Sequence, residues 1–340
     1  MEMRVLGRTG VKVSPLCLGA MMFGAWGEPD HDESIRMIDR ALNAGINFID
    51  TADMYSSGES EEIVGKALKG KRDNVVLATK FHGAMSFDPN EQGTSRRWIV
   101  REVENSLRRL QTDYIDLYQV HRPRVDTDID ETLGALTDLV RAGKVRYLGT
   151  STFAAHSIVE AQYVARDRGR ERFVCEQPPY SMLARGIERD VLPVAQQYGM
   201  GVIPWSPLQG GWLSGKWRKS NEKNESRRSA LLPARYDLSL PGNQRKLDAA
   251  DALGELADSH GISLIHMALA FVIRHPAVTA AIIGPRTMEQ LDSQLGAVDV
   301  QLSEEILDAI DGIVPPGVTL LEEDRGYDPP WLTDASLRRR

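Results

Sequence analysis

Eight short apolar runs recur along the chain, and their spacing limits the folds that it can adopt. The runs are rich in β-branched residues, and most begin about 28 to 40 residues after the one before. That interval accommodates a strand, a loop, a helix and a return loop. The runs cover 14–19, 47–51, 75–80, 115–121, 145–151, 173–177, 202–206 and 280–284.

Amphipathic helices are predicted between these runs. Apolar residues recur at the 3.6-residue period in 34–43, 97–110 and 129–141. Eight strands alternating with helices predict an α/β protein, either an open doubly wound sheet or a closed barrel. The count of eight favours a (β/α)8 TIM barrel. No GxGxxG follows the first run, as an open dinucleotide-binding sheet would require.

The whole chain, 1–340, is predicted to form one barrel domain, because its length is normal for this architecture. Two segments interrupt the alternation. A long insertion follows the seventh strand, and its part 217–243 is predicted to be a mobile loop. A C-terminal tail, 315–340, is rich in proline, glycine and acidic residues. Either segment is a plain surface feature or a lid over the barrel mouth.

Composition restricts the partners. The net charge of −7 argues against a protein that coats nucleic acid or an anionic membrane. No run approaches the ~20 apolar residues of a membrane span, and the first residues lack the apolar run of a secretory signal. Cys17 and Cys175 both lie in apolar runs and are predicted to be buried, reduced thiols. We therefore expect a cytoplasmic protein.

Polar residues stand where the predicted strands end, which is where barrel enzymes have their active sites. The second run ends at Asp50, with Tyr55 in the following loop, the third at Lys80 and the fourth at His121. An ammonium beside a phenol favours the phenolate, and a carboxylate fixes the ammonium. Asp50, Lys80 and Tyr55 therefore predict a charged chain that ends in an acid of adjusted strength.

His121 could donate a hydrogen bond to a carbonyl oxygen. The set contains no nucleophile and no metal-ligand spacing, so it suits carbonyl reduction with a hydride from a cofactor. Each residue alone has a structural interpretation: a helix cap for Asp50, a packed aromatic for Tyr55, an ion-paired group for Lys80. His121 alone would be a core histidine. Found in order on three successive strands, they favour the catalytic interpretation.

The residues at these strand ends match a known family. The chain resembles the aldo-keto reductases, in the branch that contains the β subunits of voltage-gated potassium channels and many bacterial reductases. The resemblance extends from about Leu6 to about Gly312. Its motifs are Asn-Phe-Ile-Asp-Thr-Ala-Asp-Met-Tyr at 47–55, Ala-Thr-Lys at 78–80, Tyr-Gln-Val-His-Arg at 118–122, Gly-Thr-Ser at 149–151, Cys-Glu-Gln at 175–177, Trp-Ser-Pro-Leu at 205–208 and Ile-Gly-Pro-Arg-Thr at 283–287.

The resemblance implies reduction of an aldehyde or ketone by NADPH (NADP+ after the reaction). In that case Tyr55 is the general acid, Lys80 and Asp50 tune it, and His121 orients the substrate. Ser151 and Gln177 would hold the nicotinamide carboxamide, and Trp205 would stack on the ring. The pyrophosphate would lie along Ser206, Leu208, Gly210, Ser214 and Lys216, and the adenosine 2′-phosphate end along Gly284, Arg286, Gln290 and Gln294.

The chain departs from the family pattern at three of these positions. Thr152 stands where many members have Asn, which removes one carboxamide partner. Gln290 and Gln294 stand where the best-known NADPH-dependent members have Arg and Asn. Arg286 then remains as the main phosphate ligand, which still favours NADPH over NADH. The segment 3–13 resembles the hairpin that closes the barrel bottom in this family.

The substrate pocket is predicted at loops around the barrel mouth, lined by Met22, Trp26, Phe81 and His82, for a small-molecule carbonyl substrate. The alternative is a cofactor-binding regulatory subunit with little turnover; the lack of an N-terminal arm before the barrel favours the enzyme. A barrel lyase or isomerase would leave Trp205, Gln177 and Arg286 unexplained. A homo-oligomer stays open, because the branch includes monomers, tetramers and octamers.

Overall fold

The computed structural model describes residues 1–221, 229 and 232–339. A short antiparallel hairpin of β1 (Arg4–Val5) and β2 (Lys12–Val13) precedes eight parallel strands. The eight strands are β3 (Leu16–Gly19), β4 (Phe48–Asp50), β5 (Val76–Phe81), β6 (Ile115–Val120), β7 (Val145–Ser151), β8 (Phe173–Gln177), β9 (Gly201–Val202) and β10 (Ala281–Ile283).

The described helices follow the strands as the alternation predicts. They are α1 (His31–Asn43), α2 (Glu59–Ala67), α3 (Arg96–Leu110), α4 (Ile129–Arg141), α5 (Ala155–Arg168), α6 (Val191–Tyr198), α7 (Pro241–Ser259), α8 (Leu264–Arg274), α9 (Met288–Leu295), α10 (Glu304–Ile313) and the single turn α11 (Pro330–Thr333). Side-chain caps fix several starts: Asp30 accepts hydrogen bonds from the backbone N–H groups of Asp32 and Glu33, so α1 begins three residues before the periodic pattern does.

The sheet closes into a barrel. Its strand order is β10-β3-β4-β5-β6-β7-β8-β9. The two end strands are joined by backbone hydrogen bonds from Thr279 to the carbonyl of Val202 (2.8 Å) and from Ile282 to that of Pro204 (2.9 Å). The predicted (β/α)8 barrel is therefore confirmed. Only β9 differs clearly from its predicted run: the strand ends at Val202, whereas the run extends to residue 206. Pro204 has no N–H with which to continue the hydrogen-bond ladder.

The N-terminal hairpin seals one end of the barrel. Leu6 and Val13 are fully buried and belong to the cluster of apolar side chains inside the strands. Gly7 has a φ of +56°, and a Cβ there would lie 2.7 Å from the backbone nitrogen of Gly201. A larger residue could therefore not approach the barrel wall so closely. Cys17 and Cys175 lie in the same interior cluster, free and buried, as predicted.

The insertion after β9 carries an aromatic stack. The Trp212 and Tyr236 rings are parallel within 7° with centroids 5.5 Å apart, and Trp217 lies 4.3 Å from Trp212. All three residues are buried against the outside of the barrel. Residues 222–228, 230 and 231 of the predicted mobile loop lie outside the described residues, and its mobility stays a prediction.

Residues 317–327 form a segment that we call the C-terminal strap. Its backbone pairs with the loop after β8, through hydrogen bonds from Arg185 to the carbonyl of Val318 (2.9 Å) and from Leu320 to that of Leu183 (3.1 Å). Farther along, Asp324 makes a buried ion pair with Lys246 of α7, at 2.8 Å. The strap thus crosses the end of the barrel opposite the hairpin.

Among the described residues, no single helix has the length and apolar content to cross a membrane. Helices α7 and α8 reach that threshold only when taken together, across a bend of 98°.

Candidate active site

A lysine links a carboxylate and a phenol at the C-terminal ends of β4 and β5. The Lys80 ammonium donates hydrogen bonds to Asp50 Oδ2 (2.5 Å), to the carbonyl of Thr51 (2.9 Å) and to the Tyr55 hydroxyl oxygen (3.2 Å). Lys80 is inaccessible to solvent, and Tyr55 is 9% exposed. Because Lys80 donates to the phenol oxygen, the Tyr55 O–H proton remains free to be donated elsewhere.

Two glutamine amides hold the other oxygen of Asp50. Gln119 and Gln177 donate to Oδ1 at 3.0 and 2.8 Å. Asp50 thus bridges four strands of the barrel interior, which fixes its orientation toward Lys80. Gln119 was not among the predicted site residues, because it lies before the last residues of its predicted strand. Gln119 could have been found from its position two residues before His121, since alternate residues of a strand share a face.

Burial and neighbouring charges shift the pKa values of Tyr55 and Lys80 in opposite directions. Burial raises the pKa of the Tyr55 phenol above its ordinary value and outweighs the Lys80 ammonium, which lowers it. Burial alone would lower the pKa of Lys80, but the Asp50 carboxylate and Tyr55 raise it overall. The expectation that Lys80 favours the phenolate is therefore correct for its own effect, while the net shift is upward. Tyr55 is accordingly protonated at neutral pH.

His121 completes the group. Its ring lies edge-on to Tyr55, with centroids 5.7 Å apart and an angle of 81° between the planes. Burial, followed by the charges of Lys80 and Arg122, lowers the pKa of His121 well below its ordinary value, so the ring is neutral. Its Nδ1 is buried and has no hydrogen-bond partner among the described residues. The structure thus brings Asp50, Tyr55, Lys80 and His121 together.

The loop after β4 aims Tyr55 into the barrel. Ser56 and Ser57 follow with φ values of +48° and +57°, a conformation that non-glycine residues rarely adopt. Ser60 at the start of α2 anchors the turn by donating to the carbonyl of Ala20 at 2.8 Å. Such strain is retained where the surrounding structure fixes it, and it is frequent at functional sites.

The turn after β7 carries the residues expected at the nicotinamide carboxamide. Ser151 is buried and donates to the carbonyl of Gln177 at 2.9 Å, and Thr152 has a φ of +60°. The buried Glu176 holds this turn: it accepts hydrogen bonds from the Thr150 hydroxyl and, at 3.1 Å, from the Phe153 N–H. Burial raises the pKa of Glu176 to about 7. Glu176 was not singled out in the sequence, since its side chain faces away from the barrel interior.

Trp205 lies half-buried at the same end of the barrel, and its Nε1 has no partner among the described residues. The Arg122 guanidinium lies 5.8 Å from the centre of its ring. The segment expected along the pyrophosphate, with Ser206, Leu208, Gly210, Ser214 and Lys216, runs on from Trp205. Tyr236 holds it by donating to the carbonyl of Gly210 at 2.8 Å, and Lys216 is exposed.

The residues expected at the adenosine end lie where β10 enters α9. A Cβ added to Gly284 would meet nothing within 4 Å, so the backbone there is open to a ligand. The Gln290 side chain accepts from the Arg286 N–H at 2.9 Å, and Gln294 donates to the carbonyl of Gln290 at 2.8 Å. Both glutamines therefore serve the local turn. The Arg286 guanidinium has no carboxylate partner among the described residues.

The residues predicted to line the substrate pocket divide into two groups. The Trp26 ring lies 6.0 Å from that of Tyr55, His82 directly follows β5, and Met22 is partly exposed in the loop after β3. Phe81, however, is fully buried in the core outside the strands, 4.7 Å from the Tyr118 ring. Placing Phe81 at the pocket was wrong, because side chains alternate along a strand and Lys80 already points inward.

A barrel with an Asp–Lys–Tyr chain and a histidine at its C-terminal end defines a class of carbonyl-reducing oxidoreductases. Comparison with known proteins agrees with that assignment. Residues 15–315 match the model of the aldo/keto reductase family. The chain belongs to this family.

Relatives cover nearly the whole chain. It is 43% identical over 330 residues to the uncharacterized oxidoreductase YrpG of Bacillus subtilis, covering 93% of this chain and 97% of the relative. It is 35% identical to a putative voltage-gated potassium channel subunit beta of Schizosaccharomyces pombe, covering 92% of each chain. It is also 35% identical to the versiconal hemiacetal acetate reductase of Aspergillus parasiticus, with 90% and 94% covered.

A nicotinamide cofactor fits the residues at this end of the barrel. Trp205 offers an aromatic face, and the open backbone at Gly284 leads to Arg286; neither the Trp205 Nε1 nor the Arg286 guanidinium has a side-chain partner within the described part of the chain. The exposed Lys216 provides a second positive charge along the same side. This set of groups matches what a phosphorylated dinucleotide requires.

Proposed function

We propose that the protein reduces an aldehyde or ketone to an alcohol with NADPH, and that Tyr55 donates the proton. The observation that carries the proposal is the Lys80 ammonium, which contacts both Asp50 and the Tyr55 hydroxyl oxygen. A bound nicotinamide supplies the hydride. As the carbonyl carbon accepts it, the carbonyl oxygen gains an electron pair and takes the Tyr55 proton.

His121 acts on the substrate carbonyl oxygen, whereas Lys80 and Asp50 act on Tyr55. His121 is neutral and can donate one hydrogen bond, which polarises the carbonyl and orients it toward Tyr55. Lys80 stabilises the Tyr55 phenolate that forms as the proton leaves, and Asp50 keeps the ammonium in place. Solvent then returns a proton to Tyr55. The high pKa of Tyr55 keeps this donor loaded at neutral pH.

NADPH rather than NADH is proposed on the basis of Arg286, which has no acidic partner among the described residues and can pair with a 2′-phosphate. The proposal also assigns the enzyme to the cytoplasm, with a small-molecule carbonyl as its partner. A second candidate, a cofactor-binding regulatory subunit with little turnover, is favoured by the similarity to potassium channel β subunits.

The test follows the loss of NADPH absorbance with a panel of aldehydes, dicarbonyls and keto-sugars. We expect Tyr55→Phe to lose roughly 10²- to 10⁴-fold of the activity, the usual contribution of a positioned acid. Cofactor binding, measured by quenching of tryptophan fluorescence, should be retained, with NADH weaker than NADPH. Tyr163→Phe is the matched control, because Tyr163 is exposed on α5.

The outcomes separate the candidates. Tight binding of NADPH without turnover of any carbonyl by the wild type supports the regulatory subunit. If neither cofactor binds, the assignments at Gln177, Trp205 and Arg286 are wrong. Equal activity of Tyr55→Phe and the wild type would show that the proton comes from another group.

A further inference from the structure

Polar nitrogens without partners collect around the barrel mouth. His82 Nε2, His121 Nδ1 and Trp205 Nε1 are all buried and have no hydrogen-bond partner among the described residues. Each belongs to a residue at or just beyond the end of a barrel strand. Buried polar groups are normally paired, so a cluster of unpaired ones at a site suggests that a ligand completes their hydrogen bonds.

Arg122 lies among these groups. Its Nη1 donates to the carbonyl of His121 (2.6 Å) and to the Ser151 hydroxyl oxygen (3.3 Å), and its guanidinium faces the Trp205 ring. Within the part of the chain that the structure describes, no carboxylate lies within ion-pair distance of it. Arg124, two residues on, differs because Asp126 pairs with it.

The charge of Arg122 reaches the reacting groups. Burial is the main cause of the pKa shifts of Tyr55 (upward), His121 and His82 (both downward), and the charge of Arg122 acts on all three in the direction of a lower pKa. The His82 pKa falls to about 4, through burial first and then through Arg124 and Arg122. Arg122 therefore adds a positive charge to the mouth, where both histidines are neutral. A positive charge among hydrogen-bond donors attracts anions.

The phosphates of the cofactor do not account for Arg122. The proposed function assigns them to Lys216 and Arg286, on the segments that follow β9 and β10, whereas Arg122 follows β6 beside His121. The carboxyl that acts on Arg122 from beyond ion-pair distance, Glu176, has a pKa of about 7 and is only partly ionised at neutral pH, so a ligand anion would supply the counterion in contact. The planar fork of an arginine matches a carboxylate.

We propose that Arg122 binds a carboxylate on the substrate while Tyr55 and His121 engage the carbonyl oxygen, so that the preferred substrates are carboxylate-bearing aldehydes or ketones. This inference rests on the proposed carbonyl reduction and names its substrate class. It makes Arg122 a specificity residue rather than a proton donor.

The test compares matched pairs that differ by one carboxylate: 4-oxobutanoate with butanal, and 4-carboxybenzaldehyde with benzaldehyde. We expect the wild type to favour the carboxylated member of at least one pair by roughly 10- to 100-fold in kcat/KM, the range of a charge-assisted hydrogen bond. Arg122→Met should remove that preference, because the rate on the carboxylated member should fall at least tenfold further than the rate on the neutral member. Arg122→Lys, which keeps the charge without the fork, should fall between.

A control and a second measurement keep the result interpretable. Arg170→Met removes a positive charge in the loop after α5, paired with Asp130 of α4, and should leave the preference unchanged. Calorimetric titration with succinate, and with succinamide as its neutral counterpart, measures anion binding without turnover. Succinate should bind the wild type at least tenfold more tightly than Arg122→Met.

Each outcome decides one point. Equal loss on both members of a pair in Arg122→Met means that Arg122 only positions His121 and Ser151, which overturns the inference. No preference and no Arg122-dependent succinate binding also overturn it, even if neutral carbonyls are reduced as the proposed function requires. Arg122-dependent succinate binding without any carbonyl turnover supports the anion site and contradicts the proposed function.

Discussion

The backbone of Gly326 lies directly against the indole of Trp205. A Cβ placed on Gly326 would come within 2.5 Å of indole Cζ2 and 2.8 Å of Cη2, closer than any ordinary contact. The two residues are far apart in the chain, and the contact exists because the C-terminal strap crosses the barrel mouth. In the proposed function, the strap covers the aromatic ring on which the nicotinamide stacks.

Gly326→Ala should displace the strap. Gly326 has a φ of +79° and Gly70 has one of +77°, but a Cβ at Gly70 would meet nothing within 4 Å. Gly70→Ala should therefore lower the free energy of unfolding by about 1 kcal/mol, through backbone strain alone. Gly326→Ala adds the collision with Trp205, roughly 1–3 kcal/mol more. Acrylamide quenching should increase for Gly326→Ala and not for Gly70→Ala; equal quenching and equal stability in the two variants would rule out the collision.

Asp324→Asn should loosen the strap two residues before Gly326. Asp324 and Lys246 form an ion pair that is almost inaccessible to solvent. Removing one charge leaves the other buried without a partner, a loss of roughly 3 kcal/mol of unfolding free energy in urea. Lys246→Met combined with Asp324→Asn should recover much of that loss. If the double variant is no more stable than Asp324→Asn, the pair does not act as a unit.

Glu176 should make stability depend on pH. Its pKa rises to about 7 in the fold, so the folded state prefers the protonated acid. The stabilising contribution of that proton is complete below the unfolded pKa of about 4.3 and is lost as the pH rises through 7, by up to about 4 kcal/mol. Glu176→Gln should therefore unfold at a higher temperature than the wild type at pH 8.5, with a smaller gain at pH 5. A gain of the same size at both pH values would contradict this.

The pH profile of carbonyl reduction should be flat across neutrality. Tyr55 must be protonated to act, and burial holds its pKa above 10, so activity should decline only at strongly alkaline pH. His121 stays neutral through the same range, because its pKa is well below the ordinary value. The measurement is kcat/KM from pH 6 to 10. An inflection near 7 that disappears in Glu176→Gln belongs to Glu176; one that persists would mean that Tyr55 is not the acid.

Much of this fold follows from periodicity. Each apolar run overlaps one strand, because burial on both faces of a parallel strand selects a short continuous apolar segment. The same property places Asp50, Lys80 and His121 at one end of the barrel. Phe81 shows what the apolar runs alone do not predict. It follows Lys80 in sequence, but its side chain points out of the barrel into the core between strands and helices. Only the alternation of side chains along the strand distinguishes Phe81 from Lys80.

Contacts between distant segments could not be predicted in this way. Gln119, Glu176 and Arg122 act through partners on neighbouring strands, so their roles depend on the register of the sheet. The contact between Gly326 and Trp205 depends on the path of a tail without periodicity. Gln290 and Gln294 each make a hydrogen bond within their own turn that the sequence does not reveal, and their predicted role at the cofactor stays a prediction.

The burial of both cysteines makes the surface of this protein free of reactive thiols. Cys17 and Cys175 lie inside the barrel, above the N-terminal hairpin, and burial raises both of their pKa values well above the ordinary range. A thiol introduced at the exposed Glu323 would then be the single site for a maleimide dye. Fluorescence from that dye would report movement of the strap through the change in its surroundings, without removal of any native residue from the interior.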